Sequence, residues 1–423
     1  MVPERVTTRP RLLFLCQTLP YPLDSGVAIR SYHTLRILSR VFDVTALCFY
    51  RRKRGLVPEG PGPSVVRLRS LARVEAFPIP QEHSVPRLLW DHLRSLALGR
   101  VYTAFAYQSR PFTRRLGELL GTSHFDLVHL DSIVLSGYGE AAQGAPVVCM
   151  HHNVESVLLQ RRADVMRGWR RAYLSHQARL MEREERRCCG GWALNVLVSE
   201  ADHARLRAIA PEASCAVIPN GVDTGHFAPA PGRDEGLVFV GEATWFPNRD
   251  ALRYFCDAIL PRVRADGRKV RVQWVGRASE RTRRAYQRRY DVELTGFVAD
   301  IRPAVRDAAC YVVPLRVGGG TRVKILDAWA MGKAVVSTSV GCEGLAAEDG
   351  RNILIRDDPD GFAQAVRAVL SDASLRQGLG AEGRRTVERL YSWDRIGESL
   401  VNVYLSVLES SQGSQSLLAR AAG

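Results

Sequence analysis

The sequence predicts an α/β protein made of two doubly wound, Rossmann-like parallel sheets that face each other across a cleft. Three observations predict this. Short apolar runs of strand length alternate with stretches of helical periodicity along almost the whole chain. A polar, Pro/Gly-rich stretch at 229–236 interrupts the alternation, which then restarts. The 423 residues are too many for one ordinary core, while 46% hydrophobic and 24% charged residues is the composition of a globular chain.

Taken in order, RLLFLCQTLP (11–20) reads as a buried strand feeding a Tyr-Pro-Leu-Asp-Ser-Gly turn at 21–26. Ala28, Tyr32, Leu35 and Leu38 then recur at helical spacing, and FDVTALCFY (42–50) is a second strand, completing a β-α-β unit. Helix-like stretches at 85–98 and 110–120 separate these from the strands FDLVHL (125–130) and APVVCM (145–150). A long basic helix is expected over 154–187, then a strand LNVLVS at 194–199, and Asn220 to Asp223 is a turn. Beyond the linker, LVFVG (237–241), VRVQWVG (270–276), VELTGFV (292–298), CYVVPL (310–315) and AVVST (334–338) supply the second sheet. The last helix is expected at 393–409, with Ile396, Leu400, Val403, Tyr404 and Val407 on one face, packed back on the first domain. The expected domains are 1–200 and 201–392, and 410–423 reads as a disordered tail.

Bulk chemistry narrows the function. No run of 18 apolar residues occurs and no signal-peptide centre follows Met1 to Arg11, so a cytoplasmic location is expected. The nine scattered cysteines lack metal-ligand spacing, so no metal is expected, and Cys188–Cys189 reads as two small buried residues rather than a redox pair. Lys and Arg total 59 against 44 Asp and Glu, a net charge of +15 that calls for an anionic partner. No zinc-finger, RNP or helix-turn-helix pattern accompanies the charge, which leaves no nucleic acid and favours a phosphate ligand and an anionic membrane surface. The basic and apolar residues of RRKR (51–54), RLLWDHLRSLALGR (87–100) and Arg161–Arg187 fit such a surface. A solvated helix face balanced by Glu182, Glu184 and Glu185 is the competing reading.

Ligands of parallel sheets lie beyond the carboxyl ends of strands. The richest loop there follows CYVVPL: Arg316, Val317, Gly318, Gly319, Gly320, Thr321, Arg322, Val323, Lys324. Its glycines let a ligand approach the backbone, the helix that follows favours phosphate, and Arg316, Arg322 and Lys324 add charge. The Gly-Lys-Ser/Thr ending of a Walker loop is absent, and a glycine-rich hinge is the alternative. Asp327, further along this helix, is where a carboxylate could accept hydrogen bonds from ribose hydroxyls; an isolated Asp is more often a solvated or capping residue.

The stretches LVFVGEATWFPN (237–248) and TGFVADIRPAVRDAACYVVPLRVGGGTRVKILDAWAMGKAVVSTSVGCEGL (295–345) resemble the donor domain of the retaining GT-B glycosyltransferases of group 1, or family 4. LPYPLDSGVAIRSYHTLRIL (19–38), HHNVES (151–156), VSEAD (198–202), IPNGVD (218–223) and YSWDRI (391–396) extend the likeness over roughly 11–408, closest to an exopolysaccharide-type branch. The resemblance implies transfer of a sugar from a nucleoside-diphosphate sugar to a glycan or lipid-linked acceptor, with the donor as cosubstrate, no other cofactor and no metal. Of the two acidic positions the family carries eight residues apart, the later falls on Asp327 and the earlier on Gly319. His152, Asp327 and Lys324 become the catalytic candidates, with Gly241, Asn248, Gly296, Phe297, Val298, Arg316, Gly318, Gly319, Gly320, Thr321 and Arg322 on the donor. The diphosphate charge is expected to fall to Arg316, Arg322 and Lys324. Asp24, Ser25, Gly26, Asn153 and Glu155 fall on the acceptor side, where Gly26-Val27 stands for the family's paired glycines. Glu155 either positions His152 or the acceptor, or simply opens a helix. A sugar-nucleotide epimerase of the same fold and a non-catalytic partner subunit are the alternatives.

Overall fold

The computed structural model describes residues 9–51, 61–142, 144–319 and 323–421, with His83 and 412–421 as backbone only. The chain forms two compact units, Met1–Ile218 with Gly397–Gly423, and Pro219–Ile396.

The first unit holds a seven-stranded parallel sheet: β1 (Arg11–Cys16), β2 (Asp43–Tyr50), β3 (Arg73–Pro78), β4 (Leu127–Leu130), β5 (Val147–Met150), β6 (Leu194–Leu197) and β7 (Cys215–Val217), in the order β3-β2-β1-β4-β5-β6-β7. The central strands are continuous apolar runs because helices cover both faces, and Leu12 to Cys16 have no exposed surface. Strand order reverses between β1 and β4, so the loops after these strands flank the switch point. The edge strand β3 (RVEAFP) lacks that apolar signature, and the other edge strand, β7, is only three residues long. β7 carries the first unit to Ile218, past the expected boundary at 200.

The second unit holds six parallel strands: β8 (Leu237–Val240), β9 (Val272–Val275), β10 (Glu293–Gly296), β11 (Cys310–Val313), β12 (Val335–Ser337) and β13 (Leu354–Ile355), in the order β10-β9-β8-β11-β12-β13. Here the reversal lies between β8 and β11. Phe239 and Trp274 stack at 3.7 Å in its core, and Trp329 is fully buried on the helix Val323–Ala330.

Two expectations need correction. The basic stretch expected as one helix is two, Glu155–Asp164 and Gly168–Cys189, parted where Gly168 takes a φ of 60° that side-chain-bearing residues disfavour. The last helix runs Trp393–Ala421, across most of the stretch read as a disordered tail; its Leu-Leu-Ala-Arg-Ala ending consists of strong helix formers. Ile396, Leu400, Tyr404 and Leu408 of this helix are buried, and Tyr404 lies edge-on to Phe42 of the first unit. Among the described residues no helix is long and apolar enough to cross a membrane.

Candidate active site

The second unit gathers its candidate residues at the carboxyl ends of β8 to β11. β8, β9 and β10 each run into or end on a glycine: Gly241, Gly276 and Gly296. These glycines interlock. Gly276 donates to the carbonyl of Gly296 at 3.2 Å, and a Cβ on Gly276 would stand 2.5 Å from the Gly241 oxygen. Gly276 (φ 147°) and Gly296 (φ 80°) also occupy backbone regions that other residues resist. Gly241 accepts from the Trp274 indole at 3.1 Å, and a Cβ there would meet Asn248 Nδ2 at 2.7 Å.

Asn248, in the first turn of the helix Phe246–Tyr254, donates from Nδ2 to the Glu242 carbonyl at 3.1 Å and accepts from Lys324 Nζ at 2.9 Å. The Lys324 ammonium also sits 4.0 Å from the centre of the Phe239 ring. The Pro-Asn turn after β8 and the helix after β11 are thereby tied together across the switch point, with a cation at the junction.

Asp327, one turn beyond Lys324, keeps part of its surface exposed but has no ion-pair or hydrogen-bond partner among the described residues. Desolvation therefore pushes its carboxyl up to about 7. The hydroxyl of the buried Tyr311 is its electrostatic neighbour.

Arg316, expected on the diphosphate, has a carboxylate partner in this structure. Its guanidinium forks onto Asp250 at 2.7 and 3.1 Å and lies 4.4 Å from the Tyr254 ring, so it braces the loop against the helix Phe246–Tyr254. Gly318 and Gly319 follow it, while Gly320, Thr321 and Arg322 lie outside the described residues. Phe297 is 59% exposed just past β10, with the Arg277 guanidinium 5.0 Å from its ring centre, and Val298 packs against the core. Gly276 and Arg277 were missed in the sequence; the signal was a buried strand ending in Gly, as at 241 and 296.

In the first unit the carboxyl ends of β1, β4 and β5 converge on a residue that sequence reasoning missed, Asp131. It is fully buried, and it accepts from Ser31 Oγ at 2.8 and 2.9 Å and from the Cys16 thiol at 3.2 Å. Its Oδ1 faces His152 Nε2 at 3.5 Å and His129 Nε2 at 3.8 Å. Burial alone would raise this carboxyl, but the opposing pull of the two imidazoles holds it well below the usual carboxylate range. His129 passes its Nδ1 to the Tyr404 hydroxyl at 2.6 Å, which links Asp131 to the last helix. Beside them Arg30, with 2% exposure, donates to the Ile218 carbonyl at 2.7 Å, and burial lowers its pKa to about 10.

The two adjacent histidines divide. His151 is buried against Asn195 at 3.0 Å and burial lowers it to about 4, a packing role, whereas His152 is the one turned to Asp131. Asn153 donates to Glu155 at 3.3 Å, and Glu155 opens the helix Glu155–Asp164. Burial raises the Glu155 carboxyl against the opposing effects of Asn153 and His152. Ser25 caps the helix Gly26–Leu38 by accepting from the Ala28 amide at 3.3 Å, and Asp24 and Gly26 are exposed beside it.

Two family models match. Residues 234–372 fit that described as Glycosyl transferases group 1, and 25–226 that described as Glycosyltransferase Family 4. The phosphatidyl-myo-inositol mannosyltransferase of Mycolicibacterium smegmatis is 26% identical over 347 residues, 79% of this chain and 80% of that relative. Sucrose-phosphate synthase from Thermosynechococcus elongatus superposes with a TM-score of 0.70 at 17% identity, covering 95% of this chain and 100% of that one. Anabaena HepE in complex with UDP-glucose gives 0.66 at 14%, covering 94% and 99%. At such identities the structural likeness speaks for the fold, two Rossmann-like parallel-sheet domains. With both sheets and both family models in agreement, the chain belongs to the group 1 glycosyltransferases of GT-B fold.

Proposed function

We propose that this glycosyltransferase takes a hexose from a nucleoside-diphosphate sugar and transfers it, with retention of anomeric configuration, to a glycan or lipid-linked acceptor on the cytoplasmic side, in polysaccharide or glycoconjugate assembly. The observation that carries the donor reading is a cation and, one helical turn on, a carboxylate at the β8/β11 switch point. Lys324 is seated on Asn248 and Phe239, and Asp327 has no counter-group among the described residues. The HepE structure with UDP-glucose makes UDP the first nucleotide to try, and the mannosyltransferase relative, by its name, supports a lipid-linked acceptor.

Charge grows on the diphosphate as the sugar leaves. Lys324 and the positive end of the helix Val323–Ala330 meet that charge without calling on a metal ion. Asp327 accepts the ribose hydroxyls, and Phe297, braced by Arg277, offers the base an apolar face. The acceptor oxygen attacks the anomeric carbon on the face from which the diphosphate departs, and its proton passes to the leaving phosphate oxygen. His152, held by Asp131, orients the sugar.

Incubating the protein with a panel of nucleotide sugars and acceptors, and reading the products by anomer-resolved NMR, tests this. A product with the donor's configuration supports the reading. An inverted product removes retention, an epimerised donor points to an isomerase, and silence across the panel to a binding subunit.

A pH dependence follows from Asp327. Its carboxyl, raised to about 7, is neutral below that pH and ionised above it. An ionised carboxylate accepts hydroxyl bonds more strongly than a neutral acid. Binding therefore favours the deprotonated form, releases the proton and tightens as pH rises. UDP affinity measured by calorimetry is expected to increase about tenfold from about pH 6 to about pH 8, following the ionised fraction of a carboxyl that titrates at about 7. In Asp327→Asn only the smaller dependence owed to the nucleotide's own phosphate remains. An unchanged slope in that variant excludes Asp327 from the ribose.

A further inference from the structure

The helix Val85–Leu98 is inside out for a helix in water. It buries its polar residues: Asp91 and Ser95 have no exposed surface. Asp91 pairs with Arg87 at 2.8 Å, and Ser95 accepts from Gln177 at 2.8 Å while donating to the Arg100 carbonyl at 2.7 Å. The opposite face is apolar and open. Val85, Leu89, Trp90, Leu93 and Leu96, at helical spacing, are 53–61% exposed. Those polar contacts fix the helix's rotation, since turning the leucines inward would break them.

The helix Gly168–Cys189 lies alongside, joined by the bond of His92 Nδ1 to the Tyr173 hydroxyl and by Gln177. One turn before Tyr173, Trp169 is 75% exposed and extends the apolar surface. The surroundings are basic. Between Glu82 and Glu118 the only acid is the buried Asp91, against six arginines, and between Asp164 and Glu182 there is none, against four. Arg100, Arg167, Arg170 and Arg171 are exposed; of RRKR (51–54) only Arg51 lies within the described residues.

We infer that this face of the first unit docks on an anionic lipid bilayer, the leucines and tryptophans entering the acyl boundary and the arginines meeting phosphate headgroups. Charge selects that occupant. A second copy of the chain would bring its own arginines against these, and although Arg100 is paired to Glu184 at 3.2 Å, a rim with this excess of arginine suits no basic partner. The inference rests on the proposed lipid-linked acceptor for its purpose and on the surface alone for its physics.

Flotation of the full chain with vesicles of phosphatidylcholine, with and without phosphatidylglycerol, tests it. Binding is expected only with phosphatidylglycerol, decreasing with salt, and weakened about tenfold or more in L89S/L93S/L96S, which removes three exposed apolar anchors. R170Q/R171Q is expected to lose the preference for anionic vesicles. Failure of the parent protein to float, equal flotation of the leucine variant, or a parent dimer that the leucine variant turns into monomer would each overturn it. UDP binding by the variants serves as the folding control. A protein that floats yet turns over no donor upholds the docking face while removing the transferase reading, so the two fail separately.

Discussion

Lys324→Gln is expected to lower kcat/KM for the nucleotide sugar by about 10²–10³, the cost of removing one preorganised charge from a growing anion. Glutamine keeps most of the length and can still bond the Asn248 side chain that Lys324 now reaches at 2.9 Å. The loss therefore reports charge rather than collapse of the loop. Because the diphosphate is charged before the reaction and more so during it, UDP affinity falls as well, by less than the rate. Steady-state kinetics with UDP titration check both, and an unchanged thermal midpoint shows the fold intact. Turnover equal to that of the parent protein would move the diphosphate away from Lys324.

The first unit should behave differently. His152→Ala is expected to reduce kcat by about 10² through lost orientation of the transferred sugar, while UDP binding stays as it was. Asp131→Asn keeps the shape and the bond from Ser31 but removes the charge facing His152 at 3.5 Å. It should reproduce a large part of that loss, about tenfold or more, with KM for the donor unmoved. Asp131 is a positioning residue, so the double variant should cost scarcely more than His152→Ala alone. Additive losses would show that the two side chains act independently.

Much of this was legible in the sequence because parallel strands covered on both faces must be continuous apolar runs, and β1, β2, β8 and β11 are such runs. β3 was not, since Arg73 and Glu75 on an edge strand break the run, and β13 is two residues long. The glycine loop after β11 and its helix stood out by composition. Asp131 did not: a lone acid after FDLVHL looks like solvated turn chemistry until Ser31, Cys16 and two histidines from distant segments close around it. Arg316 likewise has a partner that the sequence does not announce. It reads as a phosphate cation, and the fold brings Asp250, 66 positions earlier, into a bidentate pair with it. Periodicity likewise revealed that 85–98 is amphipathic but not which face meets water, because that is decided by Gln177 and Tyr173 on another helix.

Nucleotide diphosphate resting between the turn after β8 and the helix after β11 is what the rest depends on, and amide hydrogen exchange with and without UDP locates it directly. Slowed exchange concentrated in the segments 237–249 and 314–330 is the expected result. Exchange unaltered in both segments at saturating UDP, or slowed only around Asp131 and His152, would contradict it.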